Sequence, residues 1–135
     1  MDDLTQLIDD ALNLRITSSH KCFLTNIATE KLRQSDERAF SAIKKFIESS
    51  DLRPLLDKPG LNGVLGSLFV LGNRYCLDEL CGILKTWSPS LIAPLLAQGP
   101  LALQGEEVAQ PLGELIEKLK RHPDAMVKKW ADRFA

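Results

Sequence analysis

The chain lacks a basic, apolar start. It has 135 residues and opens Met1-Asp2-Asp3-Leu4, and the acids Asp2, Asp3, Asp9 and Asp10 all precede the first base, Arg15. A secretory leader needs the reverse order, and a mitochondrial transit segment is poor in acids. The sequence therefore predicts an intracellular protein of the cytoplasm or nucleus. Long apolar runs are also missing. The two most apolar windows, Leu61–Gly72 and Leu91–Leu103, are interrupted by Gly or Pro. Both fall short of the roughly 20 residues that span a bilayer, so no membrane partner is expected. Charge of one sign is absent: 17 Lys and Arg stand against 18 Asp and Glu, a net charge of -1. That balance argues against a protein that binds polyanions over its whole surface.

Aromatic residues are scarce, with one Tyr, five Phe and two Trp against abundant Leu. This suits helix-on-helix packing better than a sheet, and no segment sustains the period-2 alternation of a half-buried strand. There are three cysteines, Cys22, Cys76 and Cys81. An odd, low count without a leader fits free thiols in a reducing interior. At this length one domain, 1–135, is expected, because two would each be too small for a good core.

What the sequence does carry is helical periodicity. Leu4, Leu7, Ile8, Ala11 and Leu12 follow the i, i+3, i+4 rule, with acids in the first turn where the helix dipole favours them. Cys22, Phe23, Ile27 and Leu32 suggest a second helix. Ser35 is the expected N-cap of a third, with the stripe Ala39, Phe40, Ile43, Phe46 and Ile47. Asp51 should cap a short turn, Leu52–Asp57. Leu61–Leu71 reads as a helix apolar on most sides, with Gly72 as its C-cap. Leu77, Leu80, Cys81 and Leu84 mark another. Ser88-Pro89 should start the next, and Gly99-Pro100 should close it. Pro111 belongs in the first turn of a helix striped by Leu112, Leu115, Ile116 and Leu119. His122-Pro123-Asp124 breaks the chain before a last helix carrying Met126, Val127, Trp130 and Phe134. The fold class is all-α, with eight or nine short helices. From Leu52 to Gly105 only seven of 54 residues are charged, so the central helices should be mostly buried.

Pro54-Leu55-Leu56 recurs forty residues later as Pro94-Leu95-Leu96. The same shift pairs Phe40 with Leu80, Ile43 with Ile83, Leu52 with Ile92 and Leu61 with Leu101. A period of this size belongs to armadillo and HEAT helical repeats, in which each unit buries its apolar face on the next. An armadillo/HEAT-like or related helical bundle is therefore expected.

Motifs for chemistry are few. His20, Cys22, Cys76 and Cys81 could nominally hold zinc, but structural zinc favours tight Cys pairs at turns. Cys76 and Cys81 would point about 140° apart on a helix, so they read as core residues. Gly60, Gly63 and Gly66 form G-x-x-G-x-x-G without the preceding strand of a phosphate loop. Gly63 and Gly66 are better explained as places where a neighbouring helix comes close. His20 and His122 are the only histidines, and no carboxylate pair stands out beyond Glu106-Glu107. No constellation for acid–base or nucleophilic work emerges. The expectation is no enzyme, no cofactor and no metal.

One charged segment stands out. Lys118, Lys120, Arg121, Lys128, Lys129 and Arg133 oppose only Asp124 and Asp132. This local excess of bases reads either as a solvated face over the last apolar stripe or as a receiver of acidic partners.

The stretch Leu112-Gly-Glu-Leu-Ile-Glu-Lys-Leu-Lys-Arg-His-Pro-Asp-Ala-Met-Val-Lys-Lys-Trp-Ala resembles the N-terminal (LW) domain of transcription elongation factor S-II. That family has an apolar helix ending in a Leu-basic-basic-His-like string, then a short break and a Val/Ile–Ala helix. Leu119-Lys120-Arg121-His122 and Val127 to Ala131 follow the outline. The resemblance implies a compact helical bundle that docks short disordered motifs of partner proteins without catalysis, as a subunit of a nuclear or transcription-related complex.

The leading expectation is a non-enzymatic module that binds a short, acidic-hydrophobic segment of a protein partner. Its groove should lie between the last two helices, at Lys118, Arg121, Lys128, Lys129, Trp130 and Arg133. Nucleic-acid binding through the same basic residues is the alternative, and homo-oligomerisation through the apolar centre is another.

Overall fold

The computed structural model describes residues 3–13, 28–58 and 60–134. Among them are nine helices and no strand: α1 (Asp3–Leu12), α2 (28–33), α3 (Glu37–Ser49), α4 (Leu52–Leu56), α5 (Leu61–Tyr75), α6 (Leu77–Thr86), α7 (Pro89–Leu103), α8 (Gln110–Leu119) and α9 (Ala125–Ala131). The all-α expectation holds. His20 and Cys22, and the Cys22/Phe23/Ile27 part of the second stripe, lie outside the described residues. Leu32, the last member of that stripe, is fully buried in α2.

The centre of the bundle is α5. It packs against α1, α3, α6 and α7, while α9 packs on both α7 and α8, and α8 also touches α6. Ten residues of α5 are buried, among them the whole run from Val64 to Gly72. A helix apolar on nearly all sides has to be surrounded, and the low charge of the central sequence supplies such a helix. Buried side chains from Ile8 to Phe134 join one apolar core. Small residues set the α5–α7 distance: a methyl group at Gly66 would stand 3.1 Å from Ala102 Cβ. The expectation that this glycine admits a neighbouring helix is met.

Ser67 is the buried polar side chain of α5. Its hydroxyl donates to the Gly63 carbonyl (3.0 Å) and accepts from Arg33 Nε (3.3 Å). Burial therefore leaves it paired. Asn73, in the last turn of α5, orders the link to α8. Its Nδ2 donates to the Glu107 carbonyl (3.0 Å) and its Oδ1 accepts from the Ala109 amide (2.8 Å). Beside it Arg74 Nε donates to Glu106 Oε1 at 2.7 Å.

Several sequence-based boundaries move. The N-cap of α3 is Asp36 rather than Ser35: its backbone is extended and its carboxylate accepts from the Arg38 amide. The Ser35 amide instead donates to the Leu32 carbonyl and helps to end α2. Asp51 sits at the start of α4 without making a side-chain cap. Gly72 lies inside α5, which runs on to Tyr75, because the missing side chain makes room for Leu80 and Phe40. Gly99-Pro100 does not close α7. The helix carries both Pro94 and Pro100 and ends at Leu103, followed by Gln104 and Gly105 at positive φ. The buried side chains of Ala102 and Leu103 hold this last turn in place.

The forty-residue pairing places some of its members alike and others not: Phe40 and Leu80, and Ile43 and Ile83, are all buried. Pro54-Leu55-Leu56 lies in the five-residue α4, whereas Pro94-Leu95-Leu96 lies in the middle of the fifteen-residue α7. Leu61 is buried, while Leu101 is exposed.

Candidate interaction surface on α7 and α9

The last helix is built from its cap outward. Asp124 Oδ1 accepts from the amides of Met126 (3.0 Å) and Val127 (3.1 Å), satisfying two donors of the first turn. The Asp124 amide in turn donates to His122 Nδ1 at 3.0 Å. His122 thus serves the turn between α8 and α9.

The sequence read Met126, Val127, Trp130 and Phe134 as one inward stripe. The structure divides them. Val127 and Ala131 face the core, and Phe134 follows the helix and closes over Phe69. Met126 is 49% exposed and Trp130 is half-buried. Met126, Lys129 and Trp130 stand at i, i+3 and i+4, on one outward face of α9, and Arg133 follows in the turn after the helix. On that face Lys129 Nζ lies 5.1 Å from the Trp130 ring centroid and Arg133 Cζ 5.6 Å from it. Both distances suit cation–π attraction.

The facing wall belongs to α7. Ser90, Ala93, Pro94, Ala97 and Leu101 lie along it at three- and four-residue spacing, and Met126 and Trp130 of α9 stand opposite. Together with Asn62 of α5 they enclose an open groove of about 620 Å³. Leu101 is 70% exposed there. The surface is mostly carbon, and the one carboxylate on it, Asp124, is engaged by the amides of its own helix.

The expected site residues fall into two sets. Trp130 lines the groove, and Lys129 and Arg133 flank its ring. Lys118 and Arg121, at the end of α8, and Lys128, on α9, are exposed but are not groove residues. The depression runs between α7 and α9, not between α8 and α9 as the sequence suggested. Gly99 of α7 admits the residue that follows α9 closely: a methyl there would stand 2.7 Å from Phe134 Cζ. Sequence reading missed Leu101, Met126, Pro94 and Ala97. The only signal available was the spacing 90, 94, 97, 101, which runs past the helix end expected at Gly99-Pro100.

No family model, no curated protein and no solved structure matches this chain.

Elsewhere, burial pushes the thiols of Cys76 and Cys81 above their ordinary value, and the Glu79 carboxylate adds to the effect at Cys76. Among the described residues no three His, Cys, Asp or Glu side chains gather as a metal site. Likewise no helix among them is long and apolar enough to cross a membrane.

Proposed function

We propose that this chain is a non-enzymatic protein-interaction module that docks a short segment of a partner in the α7/α9 groove. The observation that carries the reading is the exposure of Leu101 beside Met126 and Trp130, where the other large apolar side chains among the described residues are mostly packed away. Exposed apolar surface gathered in a concave site marks recognition more often than scattered apolar residues do. A half-buried Trp at its centre suits an energetic anchor.

On this reading the architecture is closer to a compact bundle of the S-II N-terminal kind than to an armadillo/HEAT array. The different settings of the two Pro-Leu-Leu strings, one in the short α4 and one in the middle of α7, speak for the bundle. A second reading rests on the exposure of Lys118, Arg121, Lys128, Lys129 and Arg133. These could meet a phosphate backbone, in which case binding to a DNA or RNA oligonucleotide would fall steeply with salt.

The test is a selection of displayed random peptides on the folded protein, repeated on Leu101→Asp. Peptides that bind the wild type and lose the variant, with the thermal transition unchanged, support docking in the groove. Peptides that bind both proteins equally refute it.

A further inference from the structure

We infer that the α7/α9 groove takes a short amphipathic helix of a partner protein, with two bulky apolar anchors one turn apart and carboxylates on the flank facing Lys129 and Arg133. This rests on the groove being a docking surface and specifies what fills it.

The shape argues for a helix. Groove residues on α7 run from Pro89 to Leu101, about 18 Å at 1.5 Å per residue, the length of a three-turn helix. The middle of the α7 wall is made by Ala93, Pro94 and Ala97, short side chains that let a rod settle between α7, with Leu101 at its far end, and Met126 and Trp130 opposite. An extended peptide would need a row of backbone partners. The surface is helical and mostly apolar, with no strand edge among the described residues and only Asn62, Ser90 and Gln98 as free polar side chains along it. Most peptide N–H and C=O groups laid against it would lose water without gaining partners, which is costly. A helix satisfies those groups internally and offers only side chains.

Charge argues for acids on that helix. Lys129 and Arg133 rest over the Trp130 ring, and among the described residues neither forms an ion pair. The ring holds their stems in place, so less side-chain freedom remains to be lost on binding. Asp124 does not neutralise them, because its carboxylate is turned to the Met126 and Val127 amides. An incoming carboxylate meets two ordered cations beside an apolar anchor point.

The same charges argue against a second copy of this chain. Its own exposed apolar pair, Leu52 and Leu56 on α4, is 37% and 39% exposed and sits one turn apart. Asp51, Arg53, Asp57 and Lys58 stand around that pair, two acids against two bases, so it offers Lys129 and Arg133 no net negative charge. The amphipathic α1 is acidic, but Ile8, Ala11 and Leu12 are buried and Leu4 and Leu7 pack against the core.

The experiment uses the peptides selected on the full-length wild type, each labelled and titrated by fluorescence anisotropy. Expected are sequences with Asp or Glu beside Leu, Phe or Trp at i, i+3 or i+4 spacing, which gain helical circular dichroism when bound. Affinity should fall about tenfold or more in Lys129→Glu/Arg133→Glu, through loss of attraction and added repulsion. Exchanging the peptide's acids for Lys should restore it in that variant. Should the charge reversal disturb folding, Lys129→Gln/Arg133→Gln is read instead. Peptides that need Leu101 but ignore the charge changes, or that bind without becoming helical, overturn this inference and leave groove docking standing. Peptides indifferent to Leu101→Asp, or no enrichment at all, overturn both. A sedimenting dimer that Leu101→Asp dissociates assigns the groove to a second copy and also overturns it.

Discussion

The rings of Phe69 and Phe134 stack with centroids 5.7 Å apart and planes inclined by 27°. One belongs to the central helix and the other follows α9, so the contact fastens the last helix to the core. Phe134→Ala removes the ring and leaves its space over Phe69 and Gly99. We expect a loss of about 3 kcal/mol, the lower end for a truncated core aromatic because Phe134 lies at the edge of the core. Urea denaturation followed by far-UV circular dichroism measures it. A loss below about 1 kcal/mol, no more than an ordinary substitution, would mean that α9 is held elsewhere.

Two helical glycines should respond to alanine in opposite directions. At Gly99 the new methyl would meet Phe134 Cζ at 2.7 Å and the Phe69 ring at 3.2 Å. Overpacking of about 1–3 kcal/mol should outweigh the gain in helix propensity. At Gly82, inside α6, nothing lies within 4 Å of the added Cβ, so only the propensity gain of about 0.5–1 kcal/mol remains. Thermal midpoints of the two variants should therefore lie on opposite sides of the wild type.

Asp36 gives the stability a small acid dependence. Its carboxyl lies below the ordinary 3.8, first because the Arg38 side chain donates to it and then because the Arg38 amide does. A depressed carboxylate contributes stability above its unfolded value and loses it as pH falls through the folded one. Asp36→Asn keeps a good N-cap residue and removes the charge. The variant should be less stable than the wild type at about pH 6, and the gap should close at about pH 2. Paired denaturation curves at the two pH values give the comparison.

The thiols of Cys76 and Cys81 should be sluggish. Burial raises both, and the thiolate is the reactive form. In a Cys22→Ser background, alkylation by iodoacetamide at about pH 8 should run slower than that of glutathione. Urea should restore the full rate. A fast-reacting thiol in the folded protein would contradict the burial.

Much of the fold was readable because helix faces repeat with period 3.6. The α3 stripe Ala39, Phe40, Ile43 and Ile47 is buried where the spacing put it. Punctuation by Gly and Pro misled where packing overrode propensity. Gly72 and Gly99 mark close approaches inside helices rather than ends, since what they accommodate (Leu80 and Phe40 at Gly72, Phe134 at Gly99) belongs to other elements. The candidate surface was half legible. Trp130 and its flanking Lys129 and Arg133 were found from local charge, but their opposite wall was not. Leu101 resembles the core leucines Leu95 and Leu96 in every local respect, and only the tertiary course of α7 leaves it outside.

Pro94 and Pro100 have a consequence for how the groove can fail. Each removes an amide from the rungs of α7, and an interior proline disfavours a helix by about 3 kcal/mol. The coil of α7 is therefore lent to it by α5 and α9, and the excised segment should be unstructured in water. Damage at a distant core position such as Phe69 would then erase the α7/α9 groove by melting α7, while every side chain that lines it stays chemically intact.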